Sequence, residues 1–181
     1  MQSARMLRPI RVLAALIATL PAAAQAAEPA PDFFGAALCQ PPYAMDSATA
    51  LYEAAEKLAK PDASRLGAAV YHLPKPIERD GFVTQDVVFA GTAVGVLLNG
   101  EAAAEAAKRY GLAPEKSHLF GASTVGFARP LPDAQQAMKE MGLISIVARQ
   151  GPVMEGKTLL ACEFVSNEDR QALESFDKSD H

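Results

Sequence analysis

From Phe82 to Ala90 the chain alternates, with Val83, Val87 and Phe89 on one side and Thr84 and Asp86 on the other. That period of two predicts a half-buried strand. Gly91 marks a sharp bend into a second strand, Thr92 to Leu98. A period near 3.6 governs the stretch after Asp46, where Ala48, Leu51, Tyr52, Ala55, Leu58 and Ala59 form one stripe. Asp46 is the expected cap, Glu53/Lys57 and Glu56/Lys60 are solvent-side i,i+4 pairs, and Pro61 ends the helix. Leu66 to Leu73 reads as a strand, followed by a loop through Pro74-Lys75-Pro76 and Arg79-Asp80-Gly81.

Asn99 is expected to cap an alanine-rich helix, Glu101 to Tyr110, which Gly111 closes. Ser117 to Arg129 reads as a strand weakened by Gly121 and Gly126, and Asp133 as the cap of a short helix ending at Gly142. Leu143 to Arg149 and Lys157 to Val165 form a hairpin around Pro152 to Gly156. Ser166 with Asp169 opens a last helix ending near Phe176, and 177–181 is a tail. Residues 27–45, with Pro29, Pro31, Pro41 and Pro42, are expected to be extended and irregular.

The element order is therefore α-β-β-β-α-β-α-β-β-α. It predicts one α+β domain over 46–176, with a mixed or mainly antiparallel sheet of about six strands. About four helices pack mostly on one face. Strands that follow one another without helices exclude a doubly wound fold. Two β-β-α units, 82–111 and 143–176, faintly resemble one another, each with an asparagine near its helix start.

Residues 1–26 carry the marks of a cleaved secretory leader. Arg5, Arg8 and Arg11 precede an apolar run from Val12 to Leu20, then Pro21 and Ala24-Gln25-Ala26. The run is about half the ~20 residues a spanning helix needs, so no stable membrane insertion is expected after cleavage. No lipid-attachment motif precedes Cys39, and no N-x-[ST] sequon is present. The periplasm of a bacterium is the expected compartment.

Half of the 181 residues are hydrophobic, which excludes an intrinsically disordered chain. The formal charge is -4 and becomes about -7 once the three leader arginines are gone. An acidic surface disfavours nucleic acid as a partner. Two cysteines in an exported chain point to a Cys39–Cys162 disulfide, for which a loop of 123 residues allows about 5 kcal/mol at most. There is no C-x-x-C pair for redox catalysis.

Gly151 to Thr158 matches the G-x-x-x-x-G-K-[ST] letters of a phosphate loop. Pro152 removes one donor, however, and Thr158 to Val165 reads as a strand where such a loop needs a helix. No nucleotide is expected there. Lys157 should begin a strand with its ammonium in solvent or along the sheet.

Gly121-Ala122-Ser123 resembles a nucleophile elbow, but Val125 stands where the second glycine belongs. His118 is an odd number of residues from Ser123 and would face away on a regular strand, so a base would have to come from elsewhere in the fold, such as His72. His72, His118 and His181 show no metal spacing, and Met138, Met141 and Met154 are too dispersed for copper. No catalytic, cofactor or metal residue is assigned.

Two function classes follow. The first is a non-catalytic factor that binds another protein or an envelope component, in the manner of an inhibitor, immunity or accessory protein. The second is a small hydrolase or ligand-binding enzyme assembled from distant residues. An exposed apolar patch or an open sheet edge favours the first, and converging His, Ser or carboxylate groups favour the second.

Overall fold

The predicted hairpin forms the middle of the sheet: strand β3 (Phe82–Ala90) returns through Gly91-Thr92 as β4 (Ala93–Asn99), with Ala90 opposite Ala93. The computed structural model describes residues 30–63, 67–115, 125–154 and 156–179. Within them the order is α1 (Phe33–Ala37), α2 (Met45–Leu58), β1 (Pro61–Asp62), β2 (Ala69–Arg79), β3, β4, α3 (Ala103–Tyr110), β5 (Ala113–Pro114), β6 (Val125–Pro130), β7 (Gly142–Gln150), β8 (Lys157–Ser166) and α4 (Asn167–Ser179). The fold is α+β.

All eight strands join one antiparallel sheet in the order β1-β2-β3-β4-β8-β7-β6-β5. Six strands were expected. The additional two, β1 and β5, are two-residue pairings that each include a proline and carry no periodic signal. The order reads the same from either edge: a four-strand meander ending in a helix occurs twice, and β4 meets β8 at the seam. The two β-β-α units of the sequence are the inner parts of these halves.

Helices α1, α2 and α3 share one core with a single face of the sheet, in which Tyr71, Val87, Val96, Leu98, Ile144 and Leu160 are buried. The prolines led to the expectation of an extended 27–45, and the structure departs from it at Phe33–Ala37, which is helix α1. Asp32 caps α1 by accepting the Gly35 N–H at 2.7 Å, and all five α1 residues are buried. Burial of Phe33 and Phe34 stabilises what five residues alone could not. Helix α2 starts at Met45, and Ser47 rather than Asp46 closes its first turn by accepting the Ala44 N–H at 3.3 Å. Leu58, expected on the buried stripe, is 45% exposed.

Several strand boundaries differ for identifiable reasons. The loop expected at Pro74–Pro76 is strand, because β1 covers β2 only at Val70 and Tyr71. Beyond them β2 is an edge, where a missing proline N–H is tolerated. A register shift between His72 and Ile77 changes the phase of β3 as well. Phe82 therefore joins Val87 and Phe89 in the core, Val83 is exposed and Thr84 is buried, against the expected alternation.

Helix α3 begins at Ala103, and Asn99 ends β4 instead of capping it. Thr158 Oγ1 accepts the Ala102 N–H at 2.8 Å, and Gln150 Oε1 accepts that of Ala103 at 3.1 Å. Asp133–Gln135 is a single 3-10 turn, since Gln136 bonds back to Leu131 and Ile144. Ser166 Oγ accepts the Asp169 N–H at 3.0 Å, as the capping pattern predicts, and α4 runs on to Ser179 into the expected tail.

Candidate functional site

The sheet face away from α1–α3 combines small apolar residues with two clusters of charge. Antiparallel register places His72 opposite Asp86, Asp86 opposite Leu97, and Asn99 opposite Lys157. Alternation turns all four polar side chains to one side. His72 Nδ1 lies 2.7 Å from Asp86 Oδ1, and Lys157 Nζ donates to Asp86 Oδ2. Lys157 also reaches Asn99 Oδ1 at 3.4 Å. Burial pushes the Asp86 carboxyl up, but hydrogen bonds from Lys157 and His72 outweigh it and hold the group below its ordinary value. His72 stays 72% exposed, so its second ring nitrogen faces solvent with the ring oriented by Asp86.

The second cluster centres on Arg149 of β7, which is 8% exposed. Its guanidinium binds Glu115 through Nε and Nη2 at 2.9 and 2.7 Å, and Glu163 through Nη1 and Nη2, both at 2.9 Å. Two bidentate carboxylates take four of its five N–H donors and keep the arginine protonated. Gly126, read from sequence as a weakness, is required here: a Cβ on it would collide with the Glu115 carboxylate.

The phosphate-loop letters build a turn. Pro152–Met154 is 3-10, Gly156 sits at φ 76°, and β8 follows. Lys157 lies along the sheet on Asp86, and Thr158 is fully buried under α3. These two side chains are committed within the protein.

Cys39 and Cys162 are joined, S–S 2.06 Å, which attaches the segment after α1 to β8. Clefts open on both sides of that segment. One, about 280 Å³, lies between α2 and the β3–β4 turn and is lined by Tyr43, Met45, Thr49, Tyr52, Phe89 and Val94. The Tyr52 and Phe89 rings meet edge to face, centroids 5.3 Å apart, and Met45 is 56% exposed. The other, about 400 Å³, lies between residues 38–42 and the start of the β6–β7 connection.

Of the residues singled out by sequence, Ser123, His118 and His181 lie outside the described residues, as does the leader 1–26. Met138 packs on the core, Met154 is buried and Met141 is 64% exposed. Among the described residues no group of three or more His, Cys, Asp and Glu is placed to hold a metal ion. No described helix is long and apolar enough to cross a membrane. The Asp86 and Arg149 clusters were missed, because cross-strand neighbours follow from register and not from local pattern. No family model, curated protein or solved structure matches the chain.

Proposed function

We propose that the protein is exported to the periplasm and acts there as a non-catalytic factor that binds another protein of the envelope. The observation that carries this reading is the apolar cleft beside α2, where Met45 is exposed and the half-buried Tyr52 and Phe89 rings form the lining. Such a cleft receives one apolar anchor side chain from a partner, the usual centre of a protein interface. The charged groups of the opposite face are paired with one another, which leaves the apolar side as the adhesive one.

A photo-crosslinking residue at Met45 should capture one defined partner in periplasm. The same residue at Val83, exposed at the far end of β3, should not. Identical products from both positions would overturn the reading. Export is tested by fusing the chain to β-lactamase lacking its own leader: deletion of 1–26 should abolish ampicillin resistance.

The second reading, a small hydrolase, draws on one observation, the His72 ring oriented by Asp86 at 2.7 Å. It predicts turnover of activated esters that His72→Gln removes. Equal turnover by the variant ends it.

A further inference from the structure

The larger cleft is built differently from the apolar one, and its lining defines a ligand. Leu38, Leu131 and Ile146 form an apolar floor, while Arg129, Gln40 and Gln135 supply the polar positions. Arg129 stands opposite Ile146 in the β6–β7 ladder, so it projects to this side. Its Nε donates to the Tyr110 carbonyl at 3.1 Å, which orients the guanidinium, and its outer nitrogens bond to no other described residue. Gln40 Oε1 accepts from Arg79 at 3.1 Å, and its amide nitrogen adds N–H donors to the cleft. No acidic residue is among the described residues that line the cleft. Asp133, close in sequence, is held by Lys139 at 2.6 Å.

The walls are rigid before any ligand arrives. Cys39 is held by its disulfide, and Pro41, Pro42 and Pro132 have fixed φ. Gln136 spans the Leu131 and Ile144 carbonyls at 2.9 and 3.0 Å and accepts the Ile144 N–H at 2.9 Å. Little ordering is then required on binding, which is the condition for useful affinity in a small site.

We infer that this cleft binds a carboxylate carried on a short apolar stem, with Arg129 taking the carboxylate and the Leu131–Ile146 floor the stem. A peptide C-terminus ending in an aliphatic residue and a free short-chain acid share that chemistry. The site is separate from the Met45 cleft, so the inference stands or falls independently of the proposed partner.

The test titrates four probes into the disulfide-intact protein and follows the Ile146 and Leu131 methyl signals by NMR. The probes are hexanoate, hexanamide, N-acetyl-Ala-Leu and its C-terminal amide. Both acids should bind at least about tenfold more tightly than their amides, the effect of losing one charge-assisted pair. Tighter binding of the peptide acid than of hexanoate assigns the ligand to chain termini, and the reverse order to free acids. Arg129→Gln should abolish the preference for acids. Gln135→Glu, at an exposed position where folding is not at risk, should weaken both acids by charge repulsion. Amides that bind as well as acids would overturn the inference. So would an Arg129→Gln protein that keeps the preference, or the lack of any saturable shift at millimolar probe.

Discussion

Arg149 and Glu163 form a two-pronged ion pair across the β7–β8 ladder, with Nη1 on Oε1 and Nη2 on Oε2, both at 2.9 Å. Because Glu115 grips the same guanidinium from the other side, removing the arginine leaves two carboxylates facing each other in a mostly buried place. Arg149→Ala should therefore cost about 3–5 kcal/mol, read from the midpoint of urea unfolding. Arg149→Lys keeps one charge but not the forks, and should fall between. A loss under about 1 kcal/mol for the alanine variant would show that the cluster is not structural.

The Asp86 carboxyl is held below its ordinary pKa in the folded protein, which fixes the sign of a pH effect. Its contribution is fully present above the unfolded value of about 3.9 and is lost as pH falls through the lower folded value. Asp86→Asn should flatten this part of the acid limb. Lys157→Ala removes the strongest counter-charge, so the acid loss should begin at higher pH, with a cost near neutrality of about 1 kcal/mol. Denaturant melts from pH 7 down to the acid transition check both. Unchanged acid limbs would show that Asp86 is not the titrating group.

Thr158 is fully buried, and its hydroxyl accepts from Ala102 while donating to the Gly100 carbonyl at 2.9 Å. Thr158→Val keeps the shape and removes both bonds, leaving an orphan N–H at the start of α3. A loss of about 1–2 kcal/mol is expected. Amide exchange should accelerate first in 102–106, and uniform acceleration across the sheet would count against a local cap.

Gly156 at φ 76° has open space around it, so the strain of a side chain there is conformational and not steric. Gly156→Ala should cost about 1 kcal/mol. Mg-ATP should raise the melting temperature of neither this variant nor the parent. A rise that Lys157→Ala removes would restore the phosphate-loop reading.

The legible elements are those whose stabilisation is local. The β3–β4 and β7–β8 hairpins carry short apolar runs joined through a glycine-containing turn, and α4 carries its Ser166–Asp169 cap. Where distant residues decide, local signals mislead. Prolines 74 and 76 read as loop, yet they sit on an edge that asks nothing of their nitrogen. Asn99 and Asp133 read as caps, but Thr158 and Gln136 make the bonds that shape those turns. The disulfide was legible because two cysteines in a chain read as exported are expected to pair. The charged clusters were not, since Asp86 and Lys157 are 71 residues apart and become neighbours only through the three-strand register of β3, β4 and β8.

The Cys39–Cys162 bond closes a ring of chain that contains every strand from β1 to β7 and all of β8 up to Cys162. A protease that cuts any one loop inside this ring opens it without releasing a piece, because both new ends stay attached through the sulfurs. The nicked protein keeps its full mass until a reductant is added, and the strands on either side of the cut remain at the high local concentration that favours re-pairing. In a compartment that is both oxidising and rich in proteases, a single cleavage is then an injury the molecule can carry without coming apart.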